Sequence, residues 1–140
     1  GVIYSPVKKE IFYTLNKCAY SAKISSKNIY SKKKQIKVKP KNNLKDRVLL
    51  LSRSHARNIE LSKKNFRTNK VKYSGSSIKF CYIANGLGNI YPRLGPTMEW
   101  DTAAGHAILN AAGGSIKTLD RKVLKYGKQG FKNPSFLARS

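Results

Sequence analysis

Trp100-Asp101-Thr102-Ala103-Ala104-Gly105-His106-Ala107-Ile108 is the stretch from which the fold can be read. Asp101 sits where a helix N-cap belongs, with a side chain able to accept hydrogen bonds from first-turn amides. The helix it opens is expected over 101–112, stopped by Gly113-Gly114. Ala103, Ala104, Ala107, Ile108, Ala111 and Ala112 make a stripe of small residues along it, which predicts a neighbour packed very close. Free amides and the helix dipole also make such a terminus a place for anions. Asp101 therefore has two readings: a cap, or a carboxylate that holds a divalent cation which in turn holds phosphate. His106 has no second His or Glu at metal-binding spacing and reads as a structural side chain.

Outward from this helix, strands and helices alternate. Residues 115–119 and 89–94 flank it as strands. Before them come a helix over 76–85, halted by Gly86 and Gly88, a strand over 71–74, a helix-compatible stretch over 56–69, and a short buried-type strand over 47–51. Such alternation means a layered α/β domain. Nearer the start, residues 2–4, 10–15 and 35–38 read as strands rich in Val, Ile, Tyr and Phe, the first two joined through Ser5-Pro6-Val7-Lys8-Lys9. Residues 23–34 are basic and polar, expected as a loop or exposed edge. Pro40-Lys41-Asn42-Asn43 is turn-rich and marks a boundary between residues 1–44 and residues 45–140. The first unit is expected to be the last strands of an incomplete N-terminal domain, the second a C-terminal substrate-binding domain.

Composition narrows the classes. The 140 residues are enough for about one ordinary domain, and the 40% hydrophobic fraction favours a folded globule. Lys and Arg number 29 against 6 Asp and Glu, a net charge of +23. That balance attracts phosphorylated small molecules, nucleic acid or anionic lipid. It also fits lysines spread over solvated faces. Cys18 and Cys81 match no metal spacing and read as reduced thiols. No apolar run approaches the roughly 20 residues of a membrane span. A cytoplasmic protein is expected, with peripheral contact with the inner face of the membrane as an alternative. The chain opens at Gly1 on a strand-like segment without Met or leader, and is expected to be a fragment or the product of a split gene.

Four further positions carry candidate chemistry. Ser76 and Lys79 fall at the start of the 76–85 helix, where a bound anion offsets the unfavourable placement of a cation. Arg93 closes a strand before Gly95-Pro96, and its fork geometry suits phosphate. His55, in Ser52-Arg53-Ser54-His55, also follows a strand, placed to bond a ligand, stack on a base or cap the next helix. A serine cap, solvated cations and an ordinary surface arginine are the competing readings.

These segments together resemble the inositol monophosphatase superfamily. Trp100-Asp101-x-Ala103-Ala104-Gly105 followed by Ala112-Gly113-Gly114 is its C-terminal signature. Ser52-Arg53-Ser54-His55, Gly75-Ser76-Ser77-Ile78-Lys79-Phe80-Cys81 and Tyr91-Pro92-Arg93-Leu94-Gly95 resemble its CysQ-type 3′(2′),5′-bisphosphate nucleotidase branch, as do Gly1-Val2-Ile3-Tyr4-Ser5-Pro6-Val7 and Asn133-Pro134-Ser135-Phe136. The resemblance implies a layered α/β sugar-phosphatase-like fold. It also implies Mg²⁺-dependent removal of the 3′-phosphate from 3′-phosphoadenosine 5′-phosphate (adenosine 3′,5′-bisphosphate), or from its sulfated form. In that reading Asp101 is a metal ligand on the substrate side, and His55, Ser76, Lys79 and Arg93 hold the adenosine phosphate.

The sequence departs from the family in its acids. The remaining metal ligands would come from a Glu-Glu element and an Asp-Pro-x-Asp-Gly-Thr motif, which do not occur here. Glu10, Asp46, Glu60, Glu99, Asp101 and Asp120 are the whole acidic set. A two-metal site needs several carboxylates around the ions. The chain is therefore expected to hold no catalytic residue of its own and to be inactive alone, a separate chain supplying the other half being one solution. An inositol-phosphate phosphatase and a basic nucleic-acid-binding protein remain alternatives, though no nucleic-acid motif is present.

Overall fold

The computed structural model describes residues 1–25, 33–52 and 59–140, the residues 59–61 by their backbone alone. Two sheets sandwich a pair of helices. The first sheet is an antiparallel meander of β1 (Val2–Ser5), β2 (Glu10–Leu15), β3 (Cys18–Lys23) and β4 (Lys34–Ile36), in that order. Its tightest turn is Asn16-Lys17, where Leu15 pairs with Cys18 and both turn residues take positive φ, 47° and 63°. That is the geometry a two-residue hairpin demands. The sequence reading had no β3: Cys-Ala-Tyr-Ser-Ala-Lys has weak strand propensity and becomes a strand because its neighbours on both sides pair with it. β4 ends earlier than expected because the Val38 amide leaves the sheet and donates to Ala112 O at 2.9 Å, capping the end of a helix.

The second sheet is mixed. Parallel β6 (Lys70–Tyr73), β5 (Val48–Leu51) and β7 (Ile90–Arg93) continue into β11 (Phe136–Arg139) and β9 (Ser115–Thr118), with β11 antiparallel to both neighbours. The last four-residue strand of the chain thus lies inside the sheet, where its pairing with β7 and β9 makes it a strand. Two short strands, β8 (Thr97–Met98) and β10 (Lys132–Asn133), pair beside the site.

Between the sheets run α2 (Ile78–Ala84) and α3 (Glu99–Ala111); α1 (Ile59–Phe66) follows β5. One hydrophobic core joins Phe12 and Ile36 of the meander, Phe80 and Ile83 of α2, Ile108 and Leu109 of α3, and Phe136 of the mixed sheet. A second cluster of Leu49, Leu51 and Ile90, packed with Phe66, Val71 and Leu137, covers the opposite face of that sheet. β5 buries both faces, as its run of apolar residues requires. No helix among the described residues is long and apolar enough to cross a membrane.

The small-residue stripe needs correcting. Ile108 and Ala112 of the stripe are buried, but Ala103 and Ala107 are exposed, and α3 also buries Thr102, Gly105, His106 and Leu109. The helix also begins at Glu99, two residues before the expected start. The close neighbour does exist. A Cβ on Gly105 would lie 2.3 Å from Phe80 Cδ2 and 2.7 Å from Phe80 Cγ. Phe80 has little room to yield, since its ring packs on Tyr91 at 5.2 Å and Phe136 at 6.0 Å between centroids. Gly105→Ala is expected to destabilise the fold by about 1–3 kcal/mol, the cost of overpacking a filled core, read as a shift in the urea unfolding midpoint. An unchanged midpoint would show that the two helices can separate freely.

Candidate functional site

Parallel strands deliver their following loops to one edge of a sheet, and ligands collect there. β5, β6 and β7 end at Leu51, Tyr73 and Arg93. The residues after them and the first turns of α2 and α3 enclose a cleft of about 680 Å³. Ser76, Lys79, Arg93 and Asp101 all line it, together with Ser52, Tyr91 and Trp100. His55, with Arg53 and Ser54, lies outside the described residues.

Lys79 is 1% exposed, so the solvated lysine of the competing reading is not what the fold contains. Its ammonium donates to Ser52 Oγ at 3.2 Å, Ser74 O at 3.2 Å and Ser76 O at 2.9 Å, and lies 4.6 Å from the centre of the Tyr91 ring. Three donors meet three acceptors. Burial, and then repulsion from Arg93, bring its pKa down to about 8. α2 starts at Ile78, after Ser77, rather than at Ser76. Ser76 takes a left-handed φ of 49°, and its carbonyl accepts from the lysine. The loop before α2 is thus folded around Lys79 from within.

Arg93 is half-buried. Its Nη2 donates to Pro96 O at 2.9 Å, while its buried Nε has no partner among the described residues. A buried donor left unsatisfied is costly, and it marks where an acceptor is wanted.

Asp101 is exposed in the third position of α3, not at its N-cap. Its Oδ2 accepts from the Met98 amide at 2.9 Å, reaching back from the helix rather than forward into it. Glu99 faces elsewhere. Its carboxylate accepts from the Gly127 amide at 2.8 Å, the Lys128 amide at 3.0 Å and the Lys128 ammonium. Lys128, more than the two amides, brings the Glu99 pKa down to about 2. His106 is buried, its Nδ1 2.9 Å from Tyr126 Oη, and burial lowers its pKa. Among the described residues no three or more His, Cys, Asp or Glu side chains gather where they could hold a metal ion. Asp101 alone does not make up a two-metal centre.

Against this geometry, the profile of the inositol monophosphatase family matches residues 1–139. The chain belongs to that family.

Its curated relatives include the 3′(2′),5′-bisphosphate nucleotidase CysQ of Salmonella typhimurium, 37% identical over 139 residues. The CysQ proteins of Escherichia coli K12 and Buchnera aphidicola are 36% and 37% identical. The Salmonella match covers 97% of this chain and 52% of the relative, so the chain spans about half the length of the curated relatives it matches. Among solved structures, CysQ from Bacteroides thetaiotaomicron superposes with a TM-score of 0.80 at 33% identity, covering 100% of this chain and 57% of that one. An inositol monophosphatase from Anabaena, at 24% identity and a TM-score of 0.66, shares the fold.

Several members of this family member's cleft escaped the sequence reading. Tyr91 lies in the quoted Tyr91-Pro92-Arg93 segment, but only Arg93 was singled out there. Ser52 Oγ and the two carbonyls around Lys79 carry no signal in residue type. Thr97 and Trp100 lie beside the recognised aspartate, and that adjacency was the available clue.

Lys79 has a pH signature. A lysine whose folded pKa is lowered costs stability while charged, and the cost is relieved once the folded state releases its proton. The unfolded chain holds the extra proton from about pH 8 to about pH 10.5, so stability contributed at this site rises over that window. Cys81 and Tyr91, both raised by burial, act in the opposite direction at high pH. The difference between wild type and Lys79→Met isolates the lysine. From pH 7 to 10.5 the wild type is expected to gain on the variant by up to about 3 kcal/mol in denaturant titrations. A flat difference would mean that the three acceptors fully compensate the buried charge.

Proposed function

We propose that these residues form the substrate-recognition part of a CysQ-type phosphatase that removes the 3′-phosphate of adenosine 3′,5′-bisphosphate to give AMP. The observation that carries this reading is the cleft itself. Two cationic side chains converge there, and one of them, Arg93, has a buried donor without an acceptor among the described residues. The names borne by the CysQ relatives supply the nucleotide.

In this reading Arg93 takes a phosphate oxygen. Lys79 shapes the 74–76 loop and adds positive potential at short range without needing to touch the ligand. Ser76 and Ser77 border the same space. Asp101 contributes a carboxylate at the helix start. Magnesium belongs to the reading through the family resemblance, but the described residues do not compose its site, and no step is derived through it. A separate chain is one source of the further carboxylates.

Calorimetric titration of the 140-residue chain tests the proposal. Adenosine 3′,5′-bisphosphate is expected to bind more tightly than inositol 1-phosphate. Arg93→Ala is expected to cost about 1.5–3 kcal/mol of that binding, the range for hydrogen bonds to charged groups. Tighter binding of inositol 1-phosphate, or indifference to Arg93→Ala, would remove the nucleotide from consideration.

Turnover is a separate measurement. With saturating magnesium this chain alone is expected to release no phosphate above background. Robust hydrolysis lost on Asp101→Asn would show that the metal site had been misjudged.

A further inference from the structure

Away from the cleft, three arginines gather on the mixed sheet. β11 turns Phe136 and Ala138 toward the core, so Leu137 and Arg139 take the opposite face. Ser115 and Lys117 of β9 lie directly across from Arg139 and Leu137 and share that face. They line a hollow of about 580 Å³, to which the turn after β9 adds Arg121. Arg139 also borders a second hollow, of about 150 Å³, beside Lys41, Arg47 and Asn89. Arg139 pairs with Ile90 at the start of β7, whereas the cleft lies at the other end of that strand, at Arg93.

Each arginine is placed by the main chain and not by an acid. Arg47 Nε donates to Lys41 O at 3.1 Å, and its terminal nitrogens have no protein partner among the described residues. Arg121 takes a left-handed φ of 64°, uncommon for any residue with a side chain. Thr118 enforces it: the Arg121 amide donates to Thr118 O at 2.9 Å, and the Lys122 amide to Thr118 Oγ1 at 3.1 Å. The acids adjacent in sequence are held by lysines, Asp46 by Lys70 at 2.7 Å and Asp120 by Lys122 at 2.8 Å. Among the described residues no carboxylate side chain pairs with any of the three arginines. Burial, and then repulsion from Arg47 and Arg121, lower the Arg139 pKa. Arg139 is thus a cation between two cations.

We infer that Arg47, Arg121 and Arg139 form a binding site for a small chain of linked phosphates, such as tripolyphosphate, separate from the cleft. Guanidinium forks match phosphate oxygens, and they tolerate partial burial better than an ammonium. A single phosphate in one hollow meets two of the arginines; a linked chain that passes Arg139 can meet all three. A nucleic-acid strand is the poorer occupant. Such strands are held by aromatic rings under their bases as well as by cations, and among the described residues no Phe, Tyr or Trp lines either hollow. The inference does not draw on the nucleotide reading of the cleft.

The test titrates tripolyphosphate into the isotope-labelled intact chain at physiological ionic strength and follows the backbone amide resonances. The signals of Asn89, Arg121 and Arg139 should shift together, with an affinity about tenfold or more above that of inorganic phosphate. Arg121→Gly removes a guanidinium while suiting the left-handed backbone, so folding is not the obstacle. Arg139→Lys keeps the charge and loses the fork. Each should weaken tripolyphosphate binding about tenfold. Lys17→Gly is the matched control: it removes one cation from a left-handed position, φ 63°, in the turn of the first sheet, and should leave the affinity unchanged. Equal weakening by Lys17→Gly would reduce the site to the net charge of the chain and overturn it. Shifts confined to the cleft amides Ser76, Lys79 and Asp101 would overturn it as well, as would undiminished affinity in Arg121→Gly and Arg139→Lys. Tighter binding of an oligothymidylate of equal charge would replace the oligophosphate with a nucleic acid and overturn the choice of ligand.

Discussion

The contact on which the arrangement depends is the crossing of α2 and α3 at Phe80 and Gly105. A glycine lets the two helices approach until the Phe80 ring lies where a Cβ would be. That ring is wedged in turn against Tyr91 of β7 and Phe136 of β11, so the helix pair is keyed to the mixed sheet at the same point. Lys79 precedes Phe80 in the chain, and Asp101 lies one turn before Gly105. The crossing therefore fixes the distance between the two helix starts that face the cleft. Cores are close-packed and transmit displacement, so a change at the crossing is felt at the cleft.

Much of this was legible in residue type. A helix near residues 99–111, its glycine stop and the flanking strands follow from periodicity and punctuation. The α/β layering follows from their alternation. Less legible was anything decided by a partner distant in sequence. β11 is four residues long and central only because β7 and β9 bond to it. β3 is a strand because an Asn16-Lys17 turn places it against β2. The face of α3 was read only in part, because alanines suit either side of a helix: Ile108 and Ala112 of the expected stripe are buried, but Ala103 and Ala107 stand in solvent while Thr102, Gly105 and His106 face inward.

Lys79 shows a different limit. Both sequence readings, a lysine in water and a lysine on phosphate, assumed that its charge looked outward. The fold instead supplies a serine hydroxyl and two main-chain carbonyls, which no pattern of side chains discloses. Its role is accordingly architectural first: the ammonium replaces solvent inside the loop that borders the cleft.

The electrostatics of the cleft follow from where the few acids are spent. Asp46 pairs with Lys70, Asp120 with Lys122 and Glu99 with Lys128. Asp101 alone stands in the cleft among the described residues, and it is turned back to the Met98 amide. Lys79 and Arg93 consequently repel each other across a partly dehydrated space, which is part of why the lysine pKa falls. An anion in the cleft is attracted by both charges and also offsets their mutual repulsion. The two cations therefore favour an anion in the cleft over a neutral molecule. An acid placed here to neutralise them would have stabilised the empty fold and weakened that preference.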